Sequence, residues 1–372
     1  MKNRRNQSVV ENIPFFGSSR AHIDMVEELQ SEVVRVLMSG QSLQGEDVTL
    51  FEQDVAKMAN RDQAIAVGSA TDGLFFALCA LGIGSGDAVL VPALSFVASA
   101  SCIVRSGAEP IFVDVDKSGQ IDFSDAKSRI TPNTKAILAV HLYGNMLDPK
   151  KLVDFAQANK LLILEDAAQA FGASFSGQPA GCLGHASVFS FDPTKVIGAP
   201  GTAGAIVVDD NDLGANLRAM RYHGKTSAGF EQLGYNSQMS TLVAATLNLK
   251  LEKNAEWTAE RQRISAIYDE AFQSLPITLL DSPQQVNNVR HKYTFLTEQR
   301  DDLSQHLSRL GVPSRFHYSK ILPDESVFNS LITDDYPVAR MISAMTISLP
   351  IHAYLTDKEV DNIVSAVASF FK

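Results

Sequence analysis

The sequence predicts a layered α/β sheet with crossover helices, followed by a smaller domain, on three observations. Short apolar, β-branched runs alternate with helical stretches from about Gln63 onward, the pattern of strands joined by helices packed on one sheet. After Tyr235 the texture changes to a long helical segment, Thr241 to Tyr268, whose acidic, basic and apolar positions suit a surface or interdomain helix. The 372-residue length, with 45% apolar and 20% charged residues, is enough for two domains with sizeable cores.

The strands expected in the first part are Ala64 to Val67, Ala88 to Val91, Pro110 to Val115, Ala136 to Val140, Leu161 to Leu164, Ala186 to Phe191 and Gly204 to Val208, with helices starting at Thr71 and around Ser99 to Ser106. The second part predicts a strand at Lys292 to Thr297 and a helix from Asp301 to Leu310 closed by Gly311. A strand at Arg315 to Tyr318 and a last helix from Thr356 to Phe371 follow. Thr356 and Glu359 have the spacing of a capping box. The expected division is a large domain with an N-terminal arm over 1–249 and a small C-terminal domain over 250–372.

A formal charge of −10, from 42 acidic and 32 basic residues, argues against nucleic-acid or anionic-membrane partners but leaves room for a basic pocket around a small anion. Cys79, Cys102 and Cys182 are widely spaced and odd in number, which gives neither a CxxC pair nor a disulfide framework and suits a reducing cytoplasm. The polar start, Met1 to Asn12, lacks the apolar core of a secretory signal. Ala88 to Val104 is broken by Pro92 and serines and falls short of the roughly 20 residues that span a bilayer.

Chemistry concentrates at two strand ends. Asp166 follows an apolar strand in Glu165-Asp166-Ala167-Ala168-Gln169, and Lys195 follows another in Ser190-Phe191-Asp192-Pro193-Thr194-Lys195, with glycines at 198, 201 and 204 beyond it. Loops at strand ends of open α/β sheets gather into one site. An amine and a carboxylate brought together there are what pyridoxal phosphate requires, the amine for its aldehyde and the carboxylate for its ring nitrogen. Gln169 faces the same way as Asp166 on a first helical turn, within reach of the cofactor's phenolic oxygen. Ser69-Ala70-Thr71-Asp72-Gly73 opens a helix and offers hydroxyl and backbone donors to a phosphate.

Each residue also has an ordinary reading: Ser69 and Asp166 as helix caps, Gln169 as a solvent-facing side chain, Lys195 as a surface lysine. Two other patterns fail. Gly224-Lys225-Thr226 has Ala219 where a P-loop needs glycine, and Gly82 to Gly86 follows a helix instead of opening one. His141, His223, His317 and His352 lack metal-ligand spacing, so no metal site is expected.

These segments in this order resemble the DegT/DnrJ/EryC1/StrS family of pyridoxal-phosphate-dependent sugar aminotransferases. The likeness extends over Gln44-Gly45 with Phe51-Glu52, Gly86 to Asp116 with Ser95-Phe96, His141 to Gly144, Gly234-Tyr235-Asn236 with Met239-Ser240, and Ser348 to His352 with Leu355-Thr356. The resemblance implies fold type I, a large domain with a mostly parallel central sheet plus a smaller α+β C-terminal domain. It implies that Lys195 forms the Schiff base and shuttles the proton, that Asp166 pairs with the pyridinium and that Gln169 lies near the ring hydroxyl. Phe96 would stack on the ring, and Ala70, Thr71 and Ser190 would hold the phosphate. Asn236 would reach the phosphate of the partner subunit, so the site would be shared in a homodimer.

The implied reaction moves an amino group from an amino acid, by family habit glutamate, to a nucleotide-linked keto-sugar by a ping-pong mechanism. A keto-cyclitol acceptor and a cofactor-binding regulatory homologue without turnover are the alternatives. Lys195 argues against the family's dehydratases, in which histidine replaces the lysine. Ala70, Thr202-Ala203, Ser237-Gln238 and His317-Tyr318-Ser319-Lys320 depart from the usual pattern in loops that shape the substrate pockets.

Overall fold

The computed structural model describes residues 13–331 and 335–372; the polar start, Met1 to Asn12, lies outside the described residues. Seven strands form the central sheet: β1 Gln63–Val67, β2 Ala88–Pro92, β3 Glu109–Val113, β4 Thr134–Val140, β5 Leu162–Asp166, β6 Ala186–Ser190 and β7 Gly204–Val208. Their order is β1-β7-β6-β5-β4-β2-β3. Only β7 runs against its neighbours, and the other pairings are parallel. The sheet is therefore mostly parallel, and each expected strand of the first part is present within about two residues.

Both faces of this sheet are covered. Alternate residues of a strand point to opposite sides, so Ala64, Ala66, Leu90 and Ala139 pack into one core while Ile65, Val67, Val91 and Leu138 pack into another. A third core joins Ile264, Tyr268, Phe295, Ile347 and Ile363 with Ile13 from the N-terminal side. It lies against a small antiparallel sheet of Thr278–Leu279, Tyr293–Leu296 and Thr346–Leu349. Among the described residues no helix is long and apolar enough to cross a membrane.

Two sequence expectations need correction. The segment from Thr241 to Tyr268 is two helices, Thr241–Leu251 and Asn254–Phe272. The Lys253 N–H bonds back to the Lys250 carbonyl, a tightened turn at the polar Glu252-Lys253 step. The first of these helices is largely buried, because Lys250 is its only charged residue and Ala244, Ala245 and Leu247 enter the core. Arg315 to Tyr318 is not a strand: only Arg315 pairs, exchanging backbone bonds of 3.1 and 2.7 Å with Ser348. Beyond it the His317 carbonyl accepts the Tyr143 hydroxyl and the Thr346 hydroxyl instead of a ladder N–H. The edge strand is Thr346–Leu349, which the sequence pattern did not mark.

The last helix, Asp357–Phe370, starts with the expected capping box of Thr356 and Glu359. Glu359 also takes a two-pronged bond from Arg20, at 2.7 and 2.6 Å, tying the first described helix to the last. That guanidinium lowers the Glu359 carboxyl from 4.5 to about 2. A depressed folded-state value contributes stability above about pH 4.5 that is lost as pH falls toward 2. Arg20→Ala is expected to cost about 1–2 kcal/mol at neutral pH, allowing for partial exposure of the pair. Thermal melts should show the gap from the parent shrinking as pH drops toward 2, and a gap that stays constant would contradict this linkage.

Candidate active site

A cavity of about 360 Å³ lies where β5, β6 and β7 meet the start of the helix Ala70–Ala80. Asp166 is the last residue of β5 and 5% exposed. Its neighbour Glu165 points to the opposite face, where His141 Nε2 lies 2.7 Å away and the Gly181 N–H, Leu183 N–H and Ser187 hydroxyl donate at 2.6, 3.0 and 2.7 Å. The His141 Nδ1 accepts the Leu147 N–H, so its Nε2 carries the proton toward Glu165. Burial would raise the Glu165 carboxyl, but these donors outweigh it and hold it below the usual range.

Asp166 has fewer donors. Ser99 Oγ donates to Oδ2 at 2.7 Å and the Ala168 N–H to Oδ1 at 3.2 Å, and no ion pair reaches it among the described residues. Burial therefore raises its carboxyl, against the pull of Ser99, Ala168 and the field of Lys195. Lys195 faces the same cavity, and burial lowers its amine while Asp166 and Asp192 oppose the shift. A lowered amine supplies more of the unprotonated, nucleophilic form at neutral pH. Its loop is fixed by bonds from the Phe191 N–H to the Ala203 carbonyl at 2.9 Å and from the Ala199 N–H to the Phe191 carbonyl at 2.8 Å. Lys250 braces it from behind through the Gly198 carbonyl.

The helix Ala70–Ala80 opens onto the cavity. Ser69 caps it by accepting the Asp72 N–H at 3.1 Å, leaving the Ala70 and Thr71 N–H groups and the Thr71 hydroxyl as first-turn donors. Gly204, which opens β7, makes this packing possible: a Cβ there would sit 2.5 Å from the Ala70 nitrogen. Ser190, Thr202 and Ala203 line the same wall. An anion bound there would meet the positive helix end and several hydroxyls.

The other expected residues divide. Gln169 is buried, not solvent-facing, accepting the Tyr143 N–H at 2.9 Å and donating to the Tyr318 hydroxyl at 3.1 Å. Phe96 lines the cavity with its ring half exposed and 6.1 Å from that of Tyr318. Asn236 does not line this cavity; it is exposed and bridges to Tyr222. Ser237 caps the substitution pattern noted above by donating to Asp72 Oδ2 at 2.8 Å and, through its carbonyl, accepting the Gly68 N–H at 2.8 Å.

Sequence reasoning missed Ser99 and the Phe16, His291, Lys292 and Arg315 side chains that complete the walls, whereas His317 and Tyr318 come from a segment it had placed among the pocket-shaping loops. Ser95 and Ser99, four residues apart with hydroxyls at 2.8 Å, were the one local signal that a polar group lay beneath the Asp166 carboxylate. The remaining residues come from distant segments and leave no local trace.

The residues fit pyridoxal phosphate. A buried carboxylate without a cation partner suits a protonated ring nitrogen, the open helix end suits a phosphate, and an amine with a lowered proton affinity suits an aldehyde. Fold and site thus define a fold type I, pyridoxal-phosphate-dependent aminotransferase. The family model described as the DegT/DnrJ/EryC1/StrS aminotransferase family matches residues 23–368, and the chain belongs to that family. A dTDP-3-amino-3,4,6-trideoxy-alpha-D-glucose transaminase of Streptomyces venezuelae is 33% identical over 360 residues, covering 95% of each protein. A crystal structure of S. venezuelae DesV superimposes with a TM-score of 0.94 at 32% identity, over 97% of this chain and 99% of that one. A "Pleiotropic regulatory protein" of Geobacillus stearothermophilus is also 33% identical, over 97% of this chain and 99% of its own length.

Proposed function

We propose that this enzyme moves an amino group from an amino acid, glutamate by family habit, to a nucleotide-linked keto-sugar in two alternating half-reactions. The observation that carries this reading is the Lys195 amine facing the same cavity as the uncompensated Asp166 carboxylate. The likeness to a dTDP-sugar transaminase supports the acceptor class. Bound pyridoxal phosphate supplies a carbonyl for nitrogen and a ring that accepts the electron pair released when the substrate C–H proton leaves.

In this reading Lys195 Nζ takes that proton and would return it across the transferred nitrogen, at the cofactor's C4′ carbon. Asp166, oriented by Ser99, keeps the ring nitrogen protonated, and Gln169, fixed by Tyr143 and Tyr318, lies beside the ring hydroxyl. Phe96 covers the ring face, and Ala70, Thr71 and Ser190 hold the phosphate. The domains divide at 249/250, so the third core belongs to the small domain with an apolar contact from the N-terminal arm. Cys79, Cys102 and Cys182 are free thiols, which suits the cytoplasm.

The site is shared in a homodimer, with Asn236 donated to the partner's phosphate. Its segment supports an interface: Phe230 is 71% and Leu233 92% exposed, large apolar groups beside an unburied polar one. Asn236→Ala is expected to weaken cofactor affinity about tenfold, one lost hydrogen bond to a charged group. Fluorescence titration with pyridoxal phosphate of a protein shown to be dimeric checks it, and unchanged affinity contradicts the shared site.

Glutamate-dependent amination of dTDP-, UDP- and GDP-linked keto-sugars, read as 2-oxoglutarate released per sugar aminated, tests the reaction itself. The relative described as a regulatory protein keeps a second reading in view, cofactor binding without turnover. Release of 2-oxoglutarate from glutamate excludes it, and cofactor binding with no amino acid ever converted establishes it.

A further inference from the structure

The wall of the cavity contributed by the second half of the chain is basic. His291 and Lys292 precede the strand Tyr293–Leu296, and Arg315 and His317 lie on the segment that leaves Ser348; all four line the cavity with Phe16. Lys292 is only 7% exposed, yet its Nζ has no hydrogen bond or ion pair among the described residues. Its neighbours are aromatic, with Nζ 4.3 Å from the centre of the Phe16 ring and 5.7 Å from that of Phe15. The Arg315 guanidinium sits over the same two rings at 5.2 and 5.6 Å, also without a carboxylate. Ring faces favour a cation but do not replace a counter-ion.

The surroundings leave this charge uncompensated. Burial, joined by the fields of Lys195, Arg261 and Arg315, holds the Lys292 amine well below the ordinary lysine range, and Asp192 opposes this. Burial, joined by the fields of Lys292, Lys195, Arg261 and His317, pushes His291 well below the usual histidine value, and its Nδ1 has no partner. His317, which meets the Ser348 hydroxyl at 2.9 Å, is lowered by burial to about 3. A buried, unpartnered lysine among other basic groups in a substrate cavity is arranged for an anion that arrives with a ligand.

The cofactor's own charges have other partners, its phosphate at the helix Ala70–Ala80 and its ring nitrogen at Asp166. An anion held there lies in the cavity that holds the reacting amine, because Lys292 and Lys195 both line it. An amino acid carries its α-carboxylate on the reacting carbon itself. In a nucleotide sugar the diphosphate is separated from the ketone carbon by the sugar ring. We propose that Lys292, with Arg315, is the carboxylate subsite for the amino-acid donor. This rests on the transaminase reading given above.

Departure of the oxo-acid then frees the basic wall before the sugar enters, so one cavity serves two unlike substrates in turn. The test uses the dimeric, cofactor-loaded enzyme and Lys292→Met, which keeps the apolar stem and removes the charge. In single-turnover absorption measurements the glutamate concentration giving half-maximal rate is expected to rise about 10- to 100-fold, with the limiting rate changed less than about threefold. Calorimetric binding of glutarate, a dicarboxylate without an amine, should weaken by a similar factor, and Lys292→Arg should recover most of both. If Lys292→Met fails to take up cofactor, Arg315→Gln carries the same expectation at smaller size.

Glutamate and glutarate affinities within twofold of the parent, in a variant with unchanged circular dichroism and cofactor absorption, overturn the proposal. Weakened binding of an acidic keto-sugar with glutamate unaffected also overturns the donor assignment and places the carboxylate on the acceptor. Should the parent enzyme convert no amino acid at all, the transaminase reading fails, while glutarate binding to parent and variant still decides whether the subsite exists.

Discussion

Lys195→Ala is expected to lower the glutamate half-reaction by about four orders of magnitude or more, beyond the range for losing a proton-transfer group alone. Two functions are lost together: the amine that bonds the cofactor aldehyde and the base that moves the substrate proton. The cavity holds a second amine, at Lys292, but of the two only Lys195 lies in the field of Asp166, while Asp192 acts on both. Burial lowers the Lys195 amine, and those carboxylates limit the shift. Lys195→Arg should fail equally, because guanidinium holds its proton and forms no Schiff base. Stopped-flow absorption with glutamate in excess measures the loss, and turnover near the parent rate would remove Lys195 from the mechanism.

Asp166→Asn has the next largest effect. The amide keeps the shape and can still meet the Ser99 hydroxyl and Ala168 N–H, which lie 2.7 and 3.2 Å from the carboxylate. It removes the charge that holds a proton on the ring nitrogen, and breaking a buried ion pair costs about 3–5 kcal/mol. Cofactor affinity and transamination rate should therefore fall together, by on the order of 10²–10³-fold. Equilibrium dialysis with pyridoxal phosphate and a steady-state assay check the two quantities. A variant that keeps both would show that Asp166 is only a structural residue at the end of β5.

Glu165 and Asp166 show why some of the site was legible in the sequence. An apolar strand ending in two carboxylates is a local signal, and alternation along a strand sends one to each face. Glu165 is absorbed by His141, Gly181, Leu183 and Ser187, which leaves Asp166 for the cavity. The core strands were readable for the same reason, since parallel strands buried on both faces stand out as apolar runs. Arg315 to Tyr318 was misread because its residue types suit a strand while its hydrogen bonds go to Tyr143 and Thr346. The long segment from Thr241 read as one helix because a two-residue interruption leaves helical periodicity intact on either side.

The basic wall was the least legible part. Lys292 lies in a short run before a strand, where a lysine is ordinarily solvated, and Arg315 is separated from it by a whole helix. Only the fold places both over Phe15 and Phe16. The spectator histidines, too, could be assigned only once their partners were visible: His141 supports Glu165, and His352 meets the Pro14 carbonyl at 3.1 Å.

The most direct measurement is the absorption spectrum of the purified protein with pyridoxal phosphate, before and after glutamate is added. The account requires a long-wavelength band of lysine-bound cofactor that vanishes in Lys195→Ala, and its replacement by the pyridoxamine form as 2-oxoglutarate is released. A protein that takes up the cofactor without that band, or with the band intact in Lys195→Ala, would contradict the central claim that Lys195 is the reacting amine.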